Sequence, residues 1–292
     1  MLDLSHIPNS QQDIQIFQAN GSAWETWQKP RKCNYVYIMC IGGAGGGAGG
    51  LGGVNSVYST GGGSGGVSRA LYNAQQLADR LYIQVGLGGA GGAGNISGSA
   101  GTRSWVALQP AIVAQNMVQG SGQTAAAGGT VGSGANAAGE NIMVQTTGNF
   151  LTLSNFLAIG GVTAVGSGSI IPPPDITPLT SQITSAGAGG GNIPSTNGAS
   201  ILATSISPLI AGGTFTTVNS ATAGKGGDGI TSWKPFFSTG GAGGGTSSGT
   251  GGIGGNGGNG GIGSGGGAGG NGTSSGGTGG KGGDGLVIII SF

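Results

Sequence analysis

The hexapeptide GKGGDG occurs at Gly224–Gly229 and again at Gly280–Gly285, each copy followed by an apolar residue, Ile230 or Leu286. A lysine and a carboxylate three residues apart in a glycine-rich frame could cradle an ion or a phosphate. A nucleotide-binding P-loop would place Ser or Thr directly after the lysine and a glycine at the head of the motif. Both copies fail: Lys225 and Lys281 are each followed by Gly, and the head position is Asn219 or Ser275. The favoured reading is a repeated turn from a glycine tract into a strand, with Lys and Asp exposed.

Other chemistry is sparse. Glycan hydrolysis needs a carboxylate pair, and acyl transfer needs a nucleophile with a base such as histidine. The chain holds 8 acidic residues, scattered singly, and 1 histidine, His6. A protein that is not an enzyme and carries no cofactor or metal is therefore expected. Cys33 and Cys40 flank NYVYIM. If that run is one strand they point to opposite faces and cannot bridge within it. Two free, buried thiols are expected, as in a protein folded in a reducing cytoplasm.

The setting of these residues is unusual. Glycine supplies 74 of 292 residues, charged side chains only 6%, and the formal net charge is +1. A near-neutral chain lacks the clustered cations that drive nucleic-acid binding; Lys29, Arg31 and Lys32 read as a solvated turn. No stretch reaches the ~20 apolar residues of a membrane span, so no membrane insertion is expected. The opening MLDLSHIPNSQQD has neither a basic n-region nor an apolar h-region. Low charge with 36% apolar residues also argues against a solvated, disordered chain.

The glycine tracts keep a period. Ile253, Asn256, Asn259 and Ile262 recur at every third position, as do Leu87, Ala90, Ala93 and Ile96. Ile41 and Ala44 begin the same step, and after one extra glycine Ala48, Leu51 and Val54 resume it. Three residues per turn is the period of the polyproline II helix, whose backbone groups make no internal hydrogen bonds. Such rods are stable only if they bond laterally, and two glycines in every three allow that approach. Apolar residues at the third position are expected to face a seam, and polar ones water.

Strands must pin the rods. Candidates rich in β-branched and aromatic residues are DIQIF at 13–17, NYVYIMCI at 34–41, RLYIQV at 80–85 and LVIIISF at 286–292. The last is expected to be an internal strand that anchors the final rod. Shorter candidates are VSRALY at 67–72, SWVAL at 104–108, NIMVQT at 141–146 and NFLTLSNFLAI at 149–159, with a helical turn at NAQQL from Asn73. The expected fold class is all-β with polyglycine II helices, a β-sandwich-like strand frame enclosing a glycine-rich rod bundle. Its parts are an N-terminal arm (1–12), the strand frame and first glycine tracts (13–144), Ser/Thr/Pro-containing loop excursions (145–223), and C-terminal glycine rods with the closing strand (224–292).

Candidate contacts lie outside the rods. IIPPPDITPLT offers Ile170, Pro172, Pro173 and Pro174 on a proline-stiffened loop. ITSWKPFFSTGG offers Trp233, Phe236 and Phe237, which either meet a glycan or protein partner or plug the end of the bundle.

A short N-terminal strand, SAWETWQKP, a strand entering GGAGGGAGG, and GGDG before a terminal apolar strand together resemble the glycine-rich virion proteins of tailed bacteriophages. The likeness covers about Ile14 to Val54, Gly276 to Phe292 and the glycine tracts. Related frames occur in tail-fibre tip adhesins, whose polyglycine II rods display variable loops for receptor binding. The resemblance implies a virion protein folded in the host cytoplasm and displayed on the particle surface as a fibre, tail-tip or spike component. Its implied partners are other virion proteins and a host receptor or glycan. A capsid decoration or head-fibre protein, docked through an arm carrying Leu2, Leu4, His6 and Ile7, is the alternative. An ice-binding bundle with flat Ala/Thr faces is a further one. Lateral bonds could close within one chain or across the copies of a homo-oligomer.

Overall fold

The computed structural model describes residues 12–53, 57, 59–113, 152–159, 183–192, 196–202, 208–234 and 236–292, with backbone alone for 152–159, 202 and 208. The NIMVQT segment lies outside the described residues. Those residues are all-β apart from a 3-10 turn at Ala74–Gln76, capped by the Asn73 side chain.

Five strands form the main sheet: β1 (Asp13–Gln18), β3 (Tyr35–Ile41), β4 (Val67–Asn73), β7 (Thr152–Ile159) and β12 (Leu286–Ser291). Their order is β1-β12-β3-β4-β7, every pair antiparallel. A second antiparallel sheet runs β2-β5-β6, from β2 (Glu25–Gln28), β5 (Arg80–Gln84) and β6 (Trp105–Ala107). Two hairpins complete the list, β8 (Ile201–Leu202) with β9 (Pro208–Ile210), and β10 (Thr231–Trp233) with β11 (Phe236–Ser238).

β12 explains the apolar C-terminal run. It lies between β1 and β3, and all six of its residues are buried. A strand covered on both faces reads as a continuous hydrophobic run instead of an alternating one. Val287 and Ile289 enter one core cluster with Phe17, Ile38, Trp27 and Leu81, drawn from both sheets. Leu286, Ile288 and Ile290 enter a second with Tyr37, Met39 and Ile41.

The register of the strands continues into the glycine. Leu286 pairs with Ile41, and beyond that point Ala44, Gly47 and Gly50 donate to Gly283, Gly280 and Gly277 at 2.8–2.9 Å, in unbroken register. From Ile41 opposite Val67 the bonds run on as Gly42 to Gly66, Gly45 to Gly63 and Ala48 to Thr60. From Gln84 opposite Trp105 they continue as Thr102 to Leu87, Ser99 to Ala90 and Ile96 to Ala93. Gly43, Gly46 and Gly49 donate to a further neighbour, at Thr102, Ser99 and Ile96. Successive residues of one tract thus serve three different neighbours, and each neighbour is met at every third residue.

Packing sets the residue sizes. A Cβ built on Gly47 would lie far inside van der Waals contact with the Gly267 carbonyl. Alanine occupies many of the interior third positions, and Ala44, Ala48, Ala242 and Ala268 are fully buried. Of the large apolar residues expected to face a seam, Ile41 is fully buried and Ile262 packs against an apolar cluster, but Leu87, Ile96 and Ile253 sit outside, 36%, 58% and 40% exposed. A close-packed lattice has no interior seam wide enough for them. Conversely Asn271, expected in water, is fully buried, its Oδ1 accepting from the Leu51 N–H and its Nδ2 donating to the Val57 carbonyl.

The thiols meet expectation except in the burial of Cys33. Cys33 precedes β3, so strand parity does not govern it; it is half-buried and donates to the Pro30 carbonyl. Cys40 is buried, and desolvation pushes its thiol pKa up. Both are free.

Gly47→Ala is expected to lower stability by about 2–3 kcal/mol through overpacking against backbone that cannot yield. Thr278→Ala, at an exposed third position, should stay within about 0.5 kcal/mol. Chemical denaturation of the two variants checks the contrast.

Candidate functional site

The aromatic hairpin is built from β10 and β11. Trp233 stands opposite Phe236, their ring centroids 5.4 Å apart and tilted by 55°. Thr231 and Ser238 hydroxyls meet at 3.0 Å, and the Ser238 N–H donates to the Ile183 carbonyl at 2.7 Å, anchoring the open end. Phe236 packs on the cluster of Tyr37, Met39 and Ile288 of the strand frame. Trp233 is 45% exposed, and Phe237, on the opposite strand face, is half-buried. Ile170, Pro172, Pro173 and Pro174, and the arm residues Leu2, Leu4, His6 and Ile7, lie outside the described residues.

The GKGGDG copies are straight, not turns. Gly226 and Gly229 donate to Asn256 and Asn259, keeping the three-residue step through the motif. That step places lysine and aspartate on one edge: Lys225 Nζ lies 3.0 and 3.1 Å from the Asp228 oxygens, and Lys281 Nζ 2.9 Å from Asp284 Oδ1. Both pairs are exposed, where ion pairs contribute little.

The carboxylates and asparagines serve a further purpose. An outer rod has peptide N–H groups that no neighbour's carbonyl reaches. Asp228 Oδ1 accepts from the Asn259 N–H at 2.7 Å, Asn259 Oδ1 from Lys281 at 2.9 Å, and Asn256 Oδ1 from Thr278 at 3.0 Å. In each case the following glycine donates to the carbonyl of the same partner: Gly229 to Asn259, Gly260 to Lys281 and Gly257 to Thr278. An Asx–Gly pair therefore grips both polar groups of one residue on the next rod. The sequence signal for this clamp is Asn or Asp at the third position with glycine after it.

Desolvation tends to raise the Asp228 pKa, but the Asn259 peptide N–H and the Lys225 ammonium outweigh it and hold the carboxyl below its ordinary value. Each aspartate is engaged by an ammonium and a peptide N–H, Asp284 through Gly88, which suits an anchored acceptor.

The basic group at the other end of the frame is also more than a solvated turn. Lys29 Nζ donates to the Ala74 and Leu77 carbonyls at 2.9 and 2.8 Å and pairs with Asp79 at 2.9 Å. Arg31 and Lys32 are exposed beside it, around a depression of about 590 Å³. Among the described residues no group of three or more His, Cys, Asp or Glu is placed to hold a metal ion. No helix among them is long and apolar enough to cross a membrane.

Asp228→Ala leaves the Asn259 N–H without its acceptor and is expected to cost about 1 kcal/mol. Because the folded carboxyl titrates below its unfolded value, the stabilisation is present above about pH 4 and is lost as pH falls through the folded pKa. Melting measured from pH 7 downward should show wild type and Asp228→Ala converging in acid.

No curated protein sequence matches the chain. The family model described as a glycine-rich domain matches residues 18–291, from the end of β1 to the end of β12. The match takes in both sheets and every described glycine tract, and the chain belongs to the family of glycine-rich domains.

Proposed function

We propose that this chain is a non-enzymatic structural protein of a tailed-bacteriophage particle, displayed on its surface as a fibre, tail-tip or spike component. In this reading the glycine tracts are polyglycine II helices, bundled beside a β-sandwich-like frame, and the bundle is a stiff mount for contact residues. The supporting observation is the lateral hydrogen bonding that repeats at every third residue and continues the register of the strands. A mount of this kind is rigid without a large hydrophobic core, because each tract is fixed by several neighbours. The sandwich reading is supported by the cluster that joins Trp27, Leu81 and Val106 of one sheet to Val36, Ile38 and Ile289 of the other.

Contact with a host glycan or surface protein falls to Trp233, an exposed ring held on an anchored hairpin, together with the loop of Ile170 and Pro172–Pro174. Antibody against that loop, imaged on intact particles by electron microscopy, is expected to decorate the tail tip or fibres. Trp233→Ala should then cut particle adsorption by about tenfold or more, at unchanged melting temperature. Label spread over the head would replace this reading with capsid decoration. Absence of label from intact particles would remove the virion role.

A further inference from the structure

Asparagine followed by glycine is the sequence most prone to spontaneous deamidation, because no side chain hinders ring closure. Five such steps occur here, at Asn20, Asn197, Asn256, Asn259 and Asn271. Their surroundings divide them sharply.

In four of the five, both reacting groups are tied to a neighbouring tract. The side-chain Oδ1 accepts a peptide N–H: Asn197 from Phe215 at 2.9 Å, Asn256 from Thr278 at 3.0 Å, Asn259 from Lys281 at 2.9 Å and Asn271 from Leu51 at 2.8 Å. The nitrogen that must attack is bonded as well. Gly198 donates to Gly213 at 2.8 Å, Gly257 to Thr278 at 2.8 Å, Gly260 to Lys281 at 2.9 Å and Gly272 to Leu51 at 3.0 Å. Ring closure swings the glycine peptide towards its own side-chain carbonyl, so it breaks both bonds and the step of the tract.

Asn20 has neither restraint. It lies between β1 and β2, exposed, in a turn closed by the Ala23 N–H on the Asn20 carbonyl at 3.3 Å. Gly21 is exposed with φ +63°, and among the described residues neither its N–H nor the Asn20 side chain makes a hydrogen bond.

We infer that Asn20 is the deamidation site of the folded protein, and that the bonds held by Oδ1 and by the next glycine N–H protect the other four steps, through Asx–Gly clamps on one residue at Asn256, Asn259 and Asn271 and through two residues, Phe215 and Gly213, at Asn197. The Gly21 nitrogen gives its proton to hydroxide and attacks Cγ of Asn20. The bond from Cγ to the amide nitrogen breaks, and ammonia leaves with a proton from solvent. Water then opens the succinimide at either carbonyl, leaving aspartate or isoaspartate. In the turn the new negative charge and the isoaspartate methylene meet solvent, since Asn20 and Gly21 are both exposed. In a tract, the added methylene would shift every later residue out of register.

Exposure makes a different prediction, because Asn197, Asn256 and Asn259 are exposed too. The test is incubation of the full-length native protein at mildly alkaline pH, with peptide mapping by mass spectrometry, beside a sample in guanidinium chloride. In the native sample Asn20 should convert about tenfold or more faster than the other four, with all five comparable in denaturant. Conversion of native Asn256 or Asn259 at the rate of Asn20, or an Asn20 that stays intact while they convert, would overturn the inference.

Discussion

Every buried peptide group in the glycine tracts must find a hydrogen-bond partner, and none is available within its own tract. Successive N–H groups at Gly42, Gly43 and Ala44 donate to Gly66, Thr102 and Gly283, on three different neighbours. Burying such a group unpaired costs on the order of 1–3 kcal/mol, so the tracts are stable only as neighbours of one another. The interior at Gly42–Gly50 follows from that constraint. It has almost no side chains, because anything larger than alanine would hold the backbones too far apart to bond.

The two sheets solve the problem of alignment. Ordering glycine is entropically costly, and a slip by one residue would misplace a whole tract. The strand pairs β3/β12, β3/β4 and β5/β6 hand their register directly to the tracts that follow. The apolar clusters of the frame thus position a hydrogen-bonded lattice that has little hydrophobic drive of its own. At the lattice edge, asparagine and aspartate side chains replace the missing rod by accepting N–H groups that would otherwise face water.

Much of this architecture is legible in the chain. β1, β3, β4, β5, β6, β7 and β12 fall within a few residues of their expected places, because β-branched and aromatic runs between glycines have few alternatives. The three-residue period correctly locates the tracts. β2 is hidden because ETWQ is short and polar, and it is a strand only by pairing with β5. The β10/β11 hairpin is hidden because its strands, TSW and FFS, are only three residues each, too short to stand out from the surrounding sequence. The side-chain rule holds at Ile41, Asn256, Asn259 and Lys281 and fails at Ile96 and Asn271, because position in the lattice, more than polarity, decides burial. Local spacing likewise cannot separate a turn from a straight tract at GKGGDG, since both put Lys and Asp in the open.

The same constraint unites the fold and the proposed role, because a lattice fixed by backbone bonds in several directions is stiff wherever its edges are satisfied. Its most direct test is amide hydrogen exchange resolved along the chain, comparing Gly42–Gly50 and Gly263–Gly272 with β12. The lattice predicts protection of these glycine amides close to that of the β12 amides, lost only in global unfolding. Exchange of the tract glycines at unfolded-chain rates, with β12 still protected, would contradict it.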